Sequence, residues 1–199
     1  MQKTFVLASQ SPRRKQLLEA IGLTFIVDTP KEFQEIMASS GASAHELALN
    51  NAIGKAREVA QRHPNAIIIG VDTIGSYQDH ILEKPKDRAD AIRMLTLLQG
   101  KTHEVLSGLC IIDTATGREA AVVESTHITF QALTAEDIEA YVNTGESFDK
   151  SASYSAQGIA SMFVEGFNGD ASNVVGLPMG RLRKHLLEVF DINLIHQVQ

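Results

Sequence analysis

The sequence predicts an α/β fold in which helices flank a mixed central sheet and two lobes enclose a cleft. Strand-like and helix-like patterns alternate along the chain. The run Ala66 to Val71 is apolar throughout, which is typical of a parallel strand buried on both faces. Two longer strand patterns, Thr102 to Asp113 and Arg118 to Phe130, are joined by a short turn, and together with the buried run they indicate a mixed sheet.

The first elements are marked by capping residues. Thr4 to Ala8 is an apolar strand pattern that leads into Ser11, a good N-cap, and Pro12, a good first helical residue. These residues predict a helix over Pro12 to Ile21 that ends at Gly22. A short strand pattern, Leu23 to Val27, follows.

The rest of the chain is divided by the same kinds of signal. Residues 28–42 are polar and turn-rich, with no clear period, and Ser43 to Glu46 is a capping box that opens a helix to about Gln61. After the buried run, an irregular hairpin is predicted over Tyr77 to Lys84. The later elements are a helix capped by Asp87 that ends at Leu98 before Gly100, the two long strands, a helix capped by Thr134 that ends at Asn143, a polar loop over 145–158, a strand from Ile159 to Phe167 and a helix from Leu177 to Phe190.

Composition limits the classes of function. The chain has 199 residues, 44% of them hydrophobic, which is enough for a single domain over residues 1–199. A formal charge of −6 argues against nucleic-acid binding, which usually needs a basic face. Cys110 is the single cysteine and lies in an apolar strand pattern, so we expect a buried thiol in a reducing compartment. No segment has the signature of a signal peptide or a membrane helix, so we expect a cytoplasmic protein without membrane contact.

The segment Ala8-Ser9-Gln10-Ser11-Pro12-Arg13-Arg14 places two arginines in the first turn of the first helix. The unpaired amides there already carry about half a positive charge, so further cations are disfavoured unless an anion is held at the same point. Free amides, serine hydroxyls and two guanidiniums at one point predict a phosphate site. The alternative is that both arginines extend into solvent.

Asp72 and Lys84 form a second candidate group. Asp72 follows the buried run, and ligands of open α/β sheets gather at the carboxyl ends of strands. The hairpin would fold Lys84 back beside Asp72, where a lysine can neutralise charge on a leaving phosphate, and an acidic side chain nearby could hold a divalent cation. The alternatives are an aspartate that starts a turn and a surface ion pair worth under ~1 kcal/mol.

The polar loop over residues 145–158 is long for a compact chain, and such loops are usually functional or disordered. Its serines, Lys150, Tyr154 and Gln157 could form hydrogen bonds to a ligand. The primary amide of Gln157 can both donate to and accept from the pairing edge of uracil or thymine, whereas a glutamate would only accept and would suit guanine. The alternative is a solvent-exposed loop without a ligand.

Taken together, these motifs resemble those of the Maf family of nucleoside triphosphate pyrophosphatases. The matching blocks follow the family's order over nearly the whole chain, and they are Leu7–Arg14, Gly54–Ala56, Gly70–Thr73, Leu82–Pro85, Leu98–His103, Gly145–Gly158 and Asn173–Pro178. Each block is weak alone, but the set is specific.

The resemblance implies a Maf- and ITPase-like fold with a nucleotide cleft, a homodimer, and hydrolysis of a pyrimidine nucleoside triphosphate with Mg²⁺ or Mn²⁺. Asp72 would be the general base or a metal-associated carboxylate, and Glu35, or else Glu32, would be the second acid on the metal side. Gln157 would read the base, which points to the branch that acts on dTTP and UTP. The residues that would bind the phosphates are Ser9, Arg13, Arg14, Lys55 and Lys84, although Lys55 on its own would be a solvated helix residue.

The chain also departs from the family's pattern. The branch usually has Lys-Ala-Gly-x-Tyr-x-Ile-Gln-Gly, whereas residues 150–158 have Ala152 in place of the first glycine and Ala156 in place of the isoleucine. Gly75 stands where an aliphatic residue is usual, and the acidic pair expected after the second strand is shifted. These departures bear on the shape of the loop and hence on base preference.

Two other functions are weighed against hydrolysis. The family has been linked to septum formation, so the chain could be a nucleotide-binding regulator of cell division with little hydrolysis. An RNA-contacting protein is disfavoured by the net charge of −6. A regulator would bind nucleotides without releasing pyrophosphate.

Overall fold

The computed structural model describes residues 3–78 and 80–198. Within these residues the strands are β1 (Thr4–Ala8), β2 (Phe25–Val27), β3 (Ala66–Tyr77), β4 (His80–Leu82), β5 (Thr102–Asp113), β6 (Arg118–Phe130) and β7 (Val164–Asn168). The α-helices are α1 (Pro12–Ala20), α2 (Ala44–Ala60), α3 (Arg88–Leu98), α4 (Ala135–Asn143), α5 (Ala171–Val175) and α6 (Met179–Phe190). The predicted α/β class is confirmed.

The strands form one mixed sheet in the order β2-β1-β3-β5-β6-β7, and β4 pairs with the edge of β3 that also carries β1. β1 runs parallel to β2 and β3, whereas the pairings of β3 with β4 and β5, of β5 with β6, and of β6 with β7 are antiparallel. The sheet therefore combines a parallel part with a longer antiparallel part, as the sequence predicts.

β3 is longer than its sequence pattern predicts. The apolar run predicts a strand that ends at Asp72, but β3 continues to Tyr77 because β5 pairs with it as far as Ser76. On the opposite edge, β1 pairs with β3 up to Gly70 and β4 pairs from Gly75. Residues 71–74 lie between these two neighbours. Asp72 is therefore in the middle of its own strand, yet just past the carboxyl end of β1.

The predicted strand from Ile159 begins only at Val164, and residues 159–163 form a 3₁₀-helix instead. The Glu146 carboxylate stabilises this turn, because it accepts hydrogen bonds from the amides of Ile159 and Ala160 at 3.1 and 3.4 Å. Those bonds satisfy free N–H groups at the start of the helical turn.

The predicted helix from Leu177 begins two residues later. A short helix, α5, precedes it, and Gly176, with φ of 118°, separates α5 from α6. Pro178 occupies the N-cap position of α6 rather than its first turn. At the other end of the chain, α1 stops at Ala20, and Leu23 forms a single bridge with Val198 before β2 begins.

Apolar clusters divide the described residues into two lobes. In the first lobe, α1 and α6 pack on one face of β1 and β3, and α2 packs on the other face. In the second lobe, α3 and α4 pack against the far ends of β5 and β6. Cys110 is fully buried in the first lobe, and burial raises the pKa of its thiol to about 12. Within the described residues, no helix has the length and apolar character needed to cross a membrane.

Two glycines allow α2 to lie close to the sheet. A Cβ on Gly70 of β3 would lie 2.5 Å from the carbonyl oxygen of Ala52, and a Cβ on Gly108 of β5 would lie 2.0 Å from that of Ala48. Gly108 is the partner of Asp72 in the β3–β5 register. The close approach therefore brings α2 to the face of the sheet that carries Asp72.

Candidate active site

A cavity of about 600 Å³ opens beside residues 71–74 of β3, where β1 ends, and its walls come from both lobes. The structure brings together in this cavity the residues predicted to bind phosphate and the two acids favoured by the sequence, which are Ser9, Arg13, Arg14, Lys55, Lys84, Asp72 and Glu35. The cationic start of α1 and the carboxylate of β3 therefore face one space.

Serine hydroxyls hold the turn between β1 and α1. Ser11 caps α1 by accepting a hydrogen bond from the Arg14 amide at 3.4 Å, as predicted. Ser9 is buried, and its Oγ accepts from the Ser11 amide at 3.2 Å and from Arg14 Nη1 at 2.9 Å. Because these two bonds use the lone pairs of Oγ, the Ser9 hydroxyl proton can be donated to an anion in the cavity.

Arg14 lies in the wall of the cavity rather than in solvent. Its Nε donates to the Gly176 carbonyl oxygen at 2.7 Å, and Nη2 donates to Thr73 Oγ1 at 3.0 Å. These partners, like Ser9, are neutral oxygens, so the positive charge remains available to a bound anion. Burial lowers the pKa of Arg14 and the charge of Asp72 opposes that change. An arginine nevertheless stays protonated in a protein.

Arg13 lies at the mouth of the cavity. Its side chain is 26% exposed, and Nη1 is 3.8 Å from Asp149 Oδ2 in the polar loop. A pair at that distance and exposure is weak, so a phosphate could readily replace Asp149 as the partner of Arg13.

Lys55 joins the two acids of the cavity. Its Nζ lies 2.6 Å from Asp72 Oδ1 and 2.6 Å from Glu35 Oε1. The residue is only 8% exposed, so it is not the solvated helix residue that it would be without the resemblance. The two carboxylate oxygens can be no farther apart than twice the Nζ–O distance. Positive and negative groups thus alternate along this wall.

The ionisation of Glu35 is favoured by its cationic neighbours. Burial on its own would raise the pKa of Glu35, but Lys55, Lys84 and Arg14 outweigh burial, and the pKa lies below its ordinary value. Lys84 itself is exposed and lines the cavity after the β3–β4 hairpin returns the chain. Glu35 is therefore a carboxylate at neutral pH.

The donor set of this wall fits a hard divalent cation. Glu35 and Asp72 lie close together because both contact the Lys55 ammonium, and Mg²⁺ is commonly held by one or two carboxylates together with phosphate oxygens of the substrate. The described part of the chain contains no cluster of three or more His, Cys, Asp or Glu side chains arranged to hold a metal. Glu32, the alternative to Glu35, is exposed and lies outside the cavity lining.

The polar loop contacts the cavity through only some of its residues. Lys150, Ser151, Tyr154 and Ser155 line the cavity. The hydroxyl of Tyr154 lies 2.6 Å from His103 Nε2 in a buried pair, and burial lowers the pKa of that histidine to about 4. Gln157 is exposed and lies outside the lining. The role of Gln157 in reading a base stays a prediction.

Two departures from the family's pattern meet in space. A Cβ on Gly75 would lie 2.7 Å from the Cβ of Ala152, closer than two such atoms can approach. Ala152 adopts φ of 60°, a conformation that favours glycine, and its amide donates to the Glu83 carbonyl oxygen at 3.2 Å. The alanine in the loop is therefore accommodated by the glycine in β3. The next contact of the loop with β3 is a hydrogen bond of 2.9 Å from Ser151 Oγ to the Thr73 carbonyl oxygen.

This fit predicts strong coupling between the two positions. We expect Gly75→Ala to destabilise the protein by about 1–3 kcal/mol through overpacking. Ala152→Gly alone should change stability by less than about 1 kcal/mol, because relief of the left-handed conformation offsets the loss of a buried methyl group. The double variant should recover most of the stability that Gly75→Ala loses. Urea unfolding of the four proteins measures the coupling.

Gly166→Ala is the matched control, because a Cβ on this strand glycine would meet nothing within 4 Å. It should leave stability nearly unchanged. Strictly additive effects of Gly75→Ala and Ala152→Gly would contradict the proposed fit.

The sequence patterns did not reveal Asn51. It is 3% exposed and lies one helical turn before Lys55 on α2, and its Nδ2 donates to Asp72 Oδ2 at 3.3 Å. The spacing of four residues between Asn51 and Lys55 was the available signal, since it places both side chains on one face of the helix. Lys86 and Asp149 also line the cavity.

Comparison with known proteins shows what the chain as a whole is similar to. The family model described as "Maf-like protein" matches residues 4–189. A protein of Ruminiclostridium cellulolyticum named dTTP/UTP pyrophosphatase is 43% identical over 180 residues, which are 90% of this chain and 93% of that protein. A Bacillus anthracis protein of the same name is 42% identical over 194 residues, which are 98% of this chain and 99% of that protein.

Among solved structures, a nucleoside-triphosphatase / dITP/XTP pyrophosphatase from Mycobacterium abscessus overlaps 71% of this chain and 95% of its own, with a TM-score of 0.39 and 15% identity.

Proposed function

This chain belongs to the Maf family, and on that premise we propose that it hydrolyses dTTP and UTP to the monophosphate and pyrophosphate. The observation that carries the proposal is the Lys55 ammonium held between Asp72 and Glu35 in a cavity that also contains Arg13, Arg14 and Lys84. That wall offers cations for a triphosphate and carboxylates for the attacking water. The two curated relatives named above have the same proposed substrates in their names.

In the proposed reaction, a water oxygen forms a bond to the α-phosphorus while the bond from that phosphorus to the α–β bridging oxygen breaks. Asp72 orients the water and accepts its proton, because its carboxylate is fixed by Lys55 and by the Asn51 amide. Pyrophosphate leaves with the electron pair of the broken bond. Lys84, Arg13 and Arg14 stabilise the charge that builds on the phosphates.

Glu35 and Asp72 are the residues that would hold a divalent cation, Mg²⁺ or Mn²⁺. When bound, such an ion neutralises phosphate charge and lowers the pKa of water. The homodimer implied by the resemblance stays a prediction that light scattering of the purified protein would test.

The proposal is tested by a substrate panel. The purified protein is mixed with Mg²⁺ or Mn²⁺ and with dTTP, UTP, 5-methyl-UTP, CTP, GTP or ATP, and pyrophosphate release is measured. We expect the highest kcat/KM for dTTP and UTP. Nucleotide binding without pyrophosphate release would instead support the regulator hypothesis, and equal rates with all bases would contradict the pyrimidine preference.

Gln157→Glu tests how the base is read. If Gln157 contacts the pairing edge of the base in the complex, the variant loses the donor that a pyrimidine carbonyl oxygen requires and gains an acceptor that suits guanine. We expect the ratio of kcat/KM for UTP to that for GTP to fall by about tenfold or more, the value of one hydrogen bond to a buried partner. A ratio equal to that of the wild type would remove Gln157 from base recognition.

A further inference from the structure

Side chains of helix α2 bind the segment that carries Glu35. This segment, residues 28–42, is called the strap, and its only helical turn within the described residues is the 3₁₀-helix Ala38–Ser40. The Glu58 carboxylate accepts hydrogen bonds from the amides of Lys31 and Phe33, each at 2.6 Å. Lys55, three residues before Glu58 on α2, contacts Glu35 itself. The position of the strap therefore depends on side chains of α2.

Asn51 forms hydrogen bonds with both backbone polar groups of one strap residue. Its Oδ1 accepts from the Ile36 amide at 2.8 Å, and its Nδ2 donates to the Ile36 carbonyl oxygen at 3.0 Å. The same Nδ2 lies 3.3 Å from Asp72 Oδ2. One buried amide thus touches both the residue next to Glu35 and the carboxylate of Asp72.

We infer that Asn51 is a positioning residue that fixes the position of Glu35 relative to Asp72, so that the two carboxylates can share a divalent cation. Lys55 cannot fix the relative position of the two acids alone, because its flexible side chain contacts only their carboxylate ends. Asn51, in contrast, fixes the strap backbone beside Glu35. The Glu35 side chain is 51% exposed, so little packing holds it otherwise. The inference rests on the proposed function and on the metal site proposed with it.

The test compares Asn51→Leu, which keeps the number and branching of the side-chain heavy atoms and removes the hydrogen bonds, with Asn51→Ala. We expect kcat for dTTP to fall by about 10- to 100-fold in both variants, as is usual when a partner of a metal ligand is lost. KM should change less than about threefold, because the predicted phosphate-binding residues keep their own contacts. Mn²⁺ binding to the nucleotide-free protein, measured by electron paramagnetic resonance, should weaken by about tenfold or more.

Val59→Ala is the matched control. Val59 is a fully buried residue of α2 that packs in the core of the first lobe and does not line the cavity. It should lower the melting temperature while leaving kcat and Mn²⁺ affinity within about twofold of the wild type. Asn51→Leu is folded if its circular dichroism and cooperative melting match those of this control.

Wild-type kcat and Mn²⁺ affinity in folded Asn51→Leu would overturn the inference. If the wild-type protein released no pyrophosphate from any nucleotide, the proposed function would fail separately, and the Mn²⁺ measurement would still decide whether Asn51 positions the two acids.

Discussion

Asp72→Asn is expected to fold normally and to lose pyrophosphate release by about 10²- to 10⁴-fold, the usual contribution of a positioned general base. The variant keeps the shape of the side chain but cannot accept the proton of the attacking water. The Lys55 ammonium keeps Glu35 as a partner, so no buried cation is left alone. Initial rates with dTTP and UTP, together with thermal unfolding, measure both parts of the prediction.

Asp113→Asn is a closely matched control. Asp113 is also a buried aspartate in the β3–β5 ladder, where it pairs with Ile67 in register and lies 3.2 Å from the Lys3 ammonium, outside the cavity. It should lose stability similar to that lost by Asp72→Asn but keep wild-type turnover. Near-wild-type rates in Asp72→Asn would exclude Asp72 as the base.

Lys55→Met is expected to reduce kcat/KM by about 10²- to 10³-fold, the scale seen when one preorganised donor to a reacting group is removed. Without the ammonium, the carboxylates of Asp72 and Glu35 repel each other, and the pKa of Glu35 should rise because Lys55 is one of the charges that lower it. Activity should therefore fall more steeply below neutral pH than in the wild type. Rates from pH 5 to 9 measure the effect.

Lys3→Met is the control, because it also removes a lysine from a lysine–aspartate pair. Lys3 contacts Asp113 of β5, which pairs with Ile67 near the start of β3. The variant should leave kcat/KM within about twofold of the wild type, since neither Lys3 nor Asp113 lines the cavity. A Lys55→Met enzyme that behaved like Lys3→Met would show that the bridge between the two acids has no part in catalysis.

Local signals in the sequence predicted most of the elements. Caps such as Ser11, Ser43, Asp87 and Thr134 each accept the hydrogen bond that their patterns predict. These signals are reliable because a cap and the helix that it opens are neighbours in the chain. The mixed sheet also followed from the strand patterns, because buried parallel strands and long antiparallel strands differ in polarity.

Long-range pairing explains what the patterns missed. The continuation of β3 beyond Asp72 depends on β5, because the partners of Thr73 to Ser76 in the register lie 28 to 34 positions away in the chain. The 3₁₀-helix at 159–163 depends on the carboxylate of Glu146. No local pattern contains these partners, so propensity alone cannot place the boundaries.

The same limit applies to the candidate site. Motif residues such as Arg14 and Lys84 line one cavity, but Asn51 belongs to no motif, and its spacing from Lys55 gains meaning only from its contacts with Ile36 and Asp72. The departures at Gly75 and Ala152 are unrelated in the sequence and are explained by one steric contact. The sequence alone does not show that the two departures are related, because the contact between the strand and the loop forms only in the folded protein.

The unbroken pairing of β3 with β5 from Ile67 to Ser76 has a consequence for how a nucleotide enters. Both strands pass through the two lobes, so bending one lobe away from the other would break backbone hydrogen bonds in a buried ladder. Rigid-body hinging of the halves is therefore costly, and we expect the two lobes to keep their relative position when a nucleotide binds. The sheet acts as a fixed frame for the side chains that the two lobes contribute to the cavity.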